Sequence, residues 1–183
     1  MVYEKSCGAV VFTTIDGEIK YLFISNLQGI SVFPKGLVEG NETEDETALR
    51  EVYEETNLRI KLIEGFRTTD EHVIPQKKDT IKQITYFLGV FENQEVIYQK
   101  EELSGAYLVS YAEVMELFQF ESFRRILAEA NAYLKSIGNE FAWDLCDQTK
   151  PTGSGSKFSS SLITTYSTAR EVTPGHYFVT MQN

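Results

Sequence analysis

Apolar positions recur along the chain with two periods. Lys5 to Ile15 (Lys-Ser-Cys-Gly-Ala-Val-Val-Phe-Thr-Thr-Ile) is rich in β-branched and aromatic residues, and Glu18 to Ser25 sets Ile19, Tyr21 and Phe23 alternating against Lys20 and Leu22. Two such runs around Asp16-Gly17 predict a β-hairpin. A short strand or loop over Gly29–Phe33 ends at Pro34. The period then changes. Over Thr43–Thr56, Ala48, Leu49, Val52 and Tyr53 give a 3.6-residue stripe with charged residues around it, which predicts an amphipathic helix. Glu44, Asp45 and Glu46 suit its positive end, and Asn57 stands where a left-handed C-terminal residue is expected. Strand patterns return at Leu58–Phe66, Glu71–Pro75, Thr80–Phe91 and Ala106–Ser110, the third being the strongest by β-propensity. Helices at Tyr111–Leu117 and Phe120–Ser136 follow, the second carrying Phe123, Ile126, Leu127, Ala130 and Leu134 at helical spacing. This order predicts an α+β domain, a mixed sheet sandwiched between helices (α/β/α), over residues 1–137.

Residues 138–183 differ in kind. Ten of the eighteen residues from Pro151 to Thr168 are Ser or Thr, which reads as a linker, and Glu171–Met181 suggests a short strand or hairpin around Pro174-Gly175. They are expected to form a C-terminal extension without catalytic residues.

The chain has 183 residues, enough for one well-buried domain. At 42% hydrophobic and 24% charged it reads as an ordinary globular protein. No apolar run reaches the length of a membrane span, and the N-terminus has no secretory pattern. Cys7 and Cys146 form neither a disulfide framework nor a zinc motif, so a reducing, cytoplasmic setting is expected. Seventeen basic against 27 acidic side chains leave a net charge of −10, which disfavours nucleic acid as a partner. The same excess fits a site that gathers carboxylates around a divalent cation.

The acids do cluster. Glu51, Glu54 and Glu55 stand at i, i+3 and i+4 on the first helix, so their carboxylates share one face and repel. Carboxylate oxygens with room for water are the ligands of Mg²⁺ or Mn²⁺, ions whose usual chemistry is on phosphates. A solvated acidic face, paired in part with Arg50, is the plain alternative. The surrounding pattern favours the metal. Gly36, five residues, Glu42, seven residues, then Arg50-Glu51-Val52-x-Glu54-Glu55-x-Asn57-Leu58 resembles the Nudix box over 23 residues, with Asn57 in the place of a glycine. Asn tolerates the left-handed conformation that the glycine serves and removes no ligand. Cys7-Gly-Ala-Val-Val-Phe12 is similar to the family's first strand. Phe33-Pro34-Lys35-Gly36 and Ile81–Gly89 are similar to segments of its diadenosine tetraphosphate hydrolases, although Ser31 stands where many of those enzymes have Trp.

The resemblance implies a Nudix fold and a metal-dependent pyrophosphohydrolase acting on a small-molecule nucleotide, a nucleoside diphosphate linked to another group. Glu51, Glu54 and Glu55 would hold the metal with the main-chain carbonyl of Lys35, and Arg50 would orient Glu42 and Glu54. Glu54 is the first choice for general base and Glu102 the second, with Glu101 adjacent. Lys35 and Lys82, with Lys77 and Lys78 beside them, are candidates for phosphates. Tyr86 or Phe87, and Tyr107, are candidates to stack on a base; strand alternation lets only one of the first two face the site. Gly36, Glu42 and Asn57 are structural members of the motif. His72 is expected on the surface. Dinucleoside polyphosphates are the expected substrates. Oxidised nucleotides, ADP-ribose, triphosphorylated RNA or diphosphoinositols are alternatives within the family, and a non-catalytic nucleotide-binding module is an alternative outside the enzymes. Oligomeric state is left open.

Overall fold

The computed structural model of the protein describes residues 2–75, 77–146, 169–173 and 176–179. The chain order is β1 (Val2–Ile15), β2 (Glu18–Asn26), β3 (Ser31–Val32), β4 (Lys35–Leu37), α1 (Glu44–Thr56), β5 (Lys61–Val73), β6 (Thr80–Val90), β7 (Leu103–Val109), α2 (Tyr111–Leu117), α3 (Glu121–Cys146), β8 (Ala169–Thr173) and β9 (His176–Val179). Among the described residues these strands form one mixed sheet in the order β5-β6-β1-β2-β7-β9-β8, with β3 on β2 and β4 on β1. β1 and β2 form the antiparallel hairpin expected around Asp16 and Gly17, both at positive φ as a type I′ turn requires. β1 also pairs in parallel with β6 from Val2–Thr80 to Phe12–Val90. That ladder draws β1 out to Val2, three residues before its expected start.

The two central strands are buried on both faces, which explains their continuous apolar runs. Ala9, Val11, Leu22 and Ile24 face one side and pack with Val52 of α1 and with Leu58. Their neighbours Val10, Phe12, Tyr21 and Phe23 face the other side, against Ile126, Leu127 and Ala130 of α3 and Val114 of α2. Helices therefore cover both faces, as the α+β sandwich requires. No described helix is long and apolar enough to cross a membrane.

Four expectations are corrected. The strands expected at Leu58–Phe66 and Glu71–Pro75 are one strand, β5, whose pairing with β6 shifts register between Leu62 and Arg67 around Gly65 at φ 85°. Polar residues 67–72 hid its continuity. β4 was not expected, because three residues carry no period. α3 runs to Cys146 rather than ending at Ser136, and so crosses the boundary expected at 137. Lastly, Ala48 and Val52 of the α1 stripe are buried, whereas Leu49 and Tyr53 are exposed; Thr47 and Thr56 complete the buried face. The small core beneath α1 needs only a narrow stripe.

The hairpin expected near the C-terminus is present, with β9 paired to β7 at Tyr107–Phe178 and Leu108–Tyr177. The Ser/Thr-rich stretch 151–168 lies outside the described residues.

Candidate active site

The site grows from α1 and from β4. Thr43 caps the helix: its hydroxyl accepts from the Glu46 N–H (3.2 Å) while the Glu46 carboxylate accepts from the Thr43 N–H (2.8 Å). Such caps contribute about 1 kcal/mol. At the other end Asn57 adopts φ 58°, ψ 17° and donates its N–H to the Tyr53 carbonyl at 2.7 Å. The helix is thus fixed at both ends, and its glutamates are aimed from a rigid element.

Arg50 is the centre of an ion network. Its Nε and Nη2 donate to the two Glu42 oxygens (2.7 and 3.0 Å), its Nη1 donates to Glu51 (2.7 Å) and Glu54 (3.0 Å), and Nη2 also reaches the Leu37 carbonyl (2.9 Å). The bidentate contact is the strong form of this pair. Glu42 further accepts from the Glu39 N–H (3.1 Å) and the Thr47 hydroxyl (2.9 Å). The Arg50 hydrogen bonds dominate and pull its carboxyl down to about 2. The same bonds, Glu42 first, raise the Arg50 guanidinium, which stays charged throughout.

β4 supplies the opposite wall. The Lys35 N–H donates to Glu55 Oε2 at 2.9 Å. At Gly36 the backbone comes so close to α1 that a Cβ there would lie 2.0 Å from the Glu51 carboxylate, so any side chain would displace it. Gly8 is equally constrained, since its Cβ would lie 2.2 Å from the Pro34 carbonyl oxygen. Burial raises the Glu55 carboxyl to about 8, against the opposing pull of Lys35, and burial also raises Glu51. Lys35 is lowered, chiefly by burial and then by the nearby charge of Lys82.

The three glutamates are unequal: the Glu51 side chain is 13% exposed and Glu54 52%. Glu51 and Glu54 both lean on Arg50, while Glu55 turns to β4. Among the described residues no three Asp, Glu, His or Cys side chains converge on one point as a formed metal cage. The donor set nevertheless fits a hard cation. Glu51 and Glu54 each give a single oxygen to one guanidinium nitrogen, and Glu55 holds the Lys35 N–H, so hard oxygen donors meet on one helical face beside β4.

Other expected residues divide. Glu102 lies on the exposed turn before β7, close enough that its charge acts on Glu55. Lys82, on β6, acts on Lys35 and so belongs to the same neighbourhood. Lys77 is instead ion-paired with Glu4, and Lys78 is exposed. Tyr86 is corrected: it is fully buried, its ring edge-on to Phe33 at 5.7 Å, so it offers no face to a base. Alternation along β6 points it into the aromatic core, and its hydroxyl finds no hydrogen-bond partner there. Phe87 is on the α1 side of the sheet and partly exposed. Tyr107 already stacks on Phe23, with ring centres 5.0 Å apart and planes 15° apart. Ser31 is buried in β3, and His72 lies on the surface 3.8 Å from Asp70. The reading of residues did not anticipate Thr47, Glu39 or Gly8. Thr47 and Glu39 lie within the motif at positions any residue type fills, and the need for Gly8 shows only once β4 is placed beside it.

Comparison with known proteins shows the family and the fold. The chain is 30% identical over 144 residues to bis(5'-nucleosyl)-tetraphosphatase [asymmetrical] of Mus musculus, covering 72% of this chain and 96% of that protein. The Sus scrofa protein of the same name is 29% identical over 145 residues. Among solved structures, a C. elegans Ap4A hydrolase binary complex superposes with a TM-score of 0.67 at 22% identity, over 73% of this chain and 98% of that one, and so shares the fold. The family described as NUDIX domain matches residues 8–130, from the glycine under Lys35 to the middle of α3. With that match spanning the carboxylate helix and both of its walls, the chain belongs to the Nudix family and is one of its hydrolases.

Proposed function

We propose that the protein is a divalent-metal-dependent hydrolase of dinucleoside polyphosphates that splits diadenosine tetraphosphate asymmetrically into ATP and AMP. The observation that carries this reading is the likeness to asymmetrical tetraphosphatases over 72% of this chain and 96% of the Mus musculus protein, combined with an intact Arg50–Glu51–Glu54–Glu55 array on a capped helix. Glu51, Glu54 and Glu55, with the Lys35 carbonyl, would hold a divalent cation, which would neutralise charge on the phosphate oxygens and lower the pKa of water. The chain's own residues do the rest. Arg50 holds Glu51 and Glu54 in register, and Lys35 and Lys82 place positive charge beside Glu55 to receive the outer phosphates. Glu54, the most exposed of the three, accepts the proton of the attacking water, with Glu102 as the second candidate. The water oxygen bonds to phosphorus, the anhydride P–O bond breaks, and the departing phosphate takes its electron pair.

The test is direct. Diadenosine tetraphosphate is incubated with the protein and Mg²⁺, and products are separated by anion-exchange chromatography. ATP with AMP in equal amounts is the expected result. ADP as sole product overturns the cleavage site. An inert tetraphosphate beside rapid hydrolysis of ADP-ribose or an oxidised nucleotide overturns the substrate.

A further inference from the structure

Two exposed side chains of α1, Leu49 and Tyr53, lie outside the buried stripe, and Tyr53 stands in a groove. The groove has a volume of about 450 Å³ and runs between the last turn of α1 and the loop 92–102; Tyr53, Tyr98, Ile97, Asn57, Lys100 and Glu54 line it. That size is within the range of about 300–1,000 Å³ usual for small-molecule sites. Its walls are fixed. The Ile97 and Gln99 N–H groups donate to the Thr56 and Glu55 carbonyls at 3.0 and 3.1 Å, using acceptors that a helix end leaves free. Gln94 exchanges two hydrogen bonds of 2.8 Å with the Arg59 backbone and pins the loop a second time.

Tyr53 itself is held in place. A smaller hollow of about 280 Å³ shares Tyr53, Asn57 and Ile97 with the groove and holds Arg59, which the larger groove lacks. The Arg59 guanidinium carbon lies 4.7 Å from the Tyr53 ring centre, a cation–π contact that orients the ring. Asn57 in its left-handed conformation makes the bend that brings Arg59 back beside the helix. The groove thus offers a positioned aromatic ring, a second tyrosine packed on the core behind it, and a lysine beside the Glu101 carboxylate. It is continuous with the glutamate face through Glu54, which lines the groove and belongs to the Arg50 network.

We propose that this groove seats the nucleoside attached to the phosphate held at the glutamate face, with its base against Tyr53 and Lys100 near the phosphate next in line. A flat heteroaromatic base is the chemistry that the exposed Tyr53 ring, in a groove also lined by Ile97 and Tyr98, selects, because stacking uses the whole face of the base and needs no hydrogen-bond code. Continuity with Glu54 requires that the same molecule carry a phosphate within reach of the glutamates. The inference rests on the proposed reading only in taking the substrate to be a nucleotide.

Two measurements test it. In the first, the backbone amide spectrum of the Mg²⁺-loaded protein is followed by NMR during titration with AMP and, separately, with inorganic pyrophosphate. AMP has no anhydride to cleave. Shifts at Tyr53, Ile97 and Tyr98 with AMP but not with pyrophosphate are expected. Equal shifts with both, or AMP shifts confined to other strands, overturn the assignment. In the second, Tyr53→Ala is expected to raise KM for diadenosine tetraphosphate about tenfold with kcat within twofold, while Tyr53→Phe stays within twofold on both. An unchanged KM in Tyr53→Ala overturns the stacking role. Should the wild type leave every dinucleoside polyphosphate uncut, the proposed substrate falls, and the AMP titration still decides the groove.

Discussion

The two faces of the sheet solve different problems. On the α3 side the core is aromatic, with Phe12, Tyr21, Phe23, Phe33, Tyr86, Phe118 and Phe123 meeting at tilted and edge-on angles. On the α1 side it is smaller and, apart from Phe91, aliphatic, and much of the helix surface beyond it is given to charge. A large interlocked core makes each unpartnered polar atom costly, as the Tyr86 hydroxyl is there, so the face that carries the fold has little room for chemistry. The thin core under α1 lets Glu51 and Glu55 be half-buried, with carboxyls raised by burial, at the cost of apolar contact. Stability is therefore concentrated on one face and the proposed chemistry on the other.

That division can be broken from either side. Ile126→Ala on the aromatic face is expected to lower unfolding free energy by about 2–5 kcal/mol, read by urea titration, while kcat of the folded fraction is unchanged. Glu54→Gln or Glu55→Gln on the other face is expected to reverse this. Turnover should fall about a hundredfold, ~2.7 kcal/mol of barrier, with the melting temperature in metal-free buffer close to wild type, since Glu54 gives up one bond to Arg50 as it loses repulsion and Glu55 already holds its proton below about 8. Retention of more than about a tenth of wild-type kcat, less than ~1.4 kcal/mol, removes the glutamate in question from the catalytic role.

Acid and base sharpen the same contrast. Glu55 titrates near 8 in the folded chain and at about 4.3 when unfolded, so between those values the folded state keeps a proton that the unfolded state releases. Stability of the metal-free protein must then fall as pH rises through that window. Glu42, held at about 2, acts in the opposite sense: its contribution is complete above its unfolded value and is lost as pH falls toward 2. Melting temperature in EDTA is expected to peak near pH 5, about where the two effects cross. Glu55→Gln should flatten the alkaline limb, and Mg²⁺ should raise it in the wild type. A melting temperature that climbs from pH 5 to 8 without metal contradicts the assignment of Glu55.

Two smaller effects concern the ends of these elements. Asn57→Ala should cost about 1 kcal/mol by calorimetry, because alanine at φ 58° loses what asparagine tolerates. We also propose that residues 147–183 are an extension the catalytic domain does not need. Truncation after Cys146 should then shift the melting temperature by only a few degrees and leave kcat within twofold; loss of soluble protein would make the β8–β9 hairpin part of the domain.

Local signals were the legible ones. Asp16-Gly17, the glutamate spacing and the cap at Asn57 each specify their own backbone, and the hairpin and α1 follow from them. Parallel pairing of β1 with β6 and the three-residue β4 depend on partners far along the chain, and no local pattern encodes them. The α1 stripe misled for a related reason: Tyr53 has the spacing of a core residue, but the depth of the core beneath the helix is fixed by Ala9 and Val11 on another element. Tyr86 misled in the other direction, since alternation says that neighbouring residues face apart without saying which face is open.

The long parallel ladder has a consequence for synthesis. Its eleven residue pairs each join positions 78 apart, from Val2–Thr80 to Phe12–Val90, so neither helix packing nor the β1–β2 hairpin can complete the sheet until roughly half the chain has left the ribosome. Until then β1 waits with an open edge and two apolar faces. Contacts of such sequence separation slow folding and leave nascent edges exposed to other chains. The charged 42–55 segment emerges inside that interval, ahead of β6, and its surplus of carboxylates keeps the growing chain apart from its neighbours while it waits.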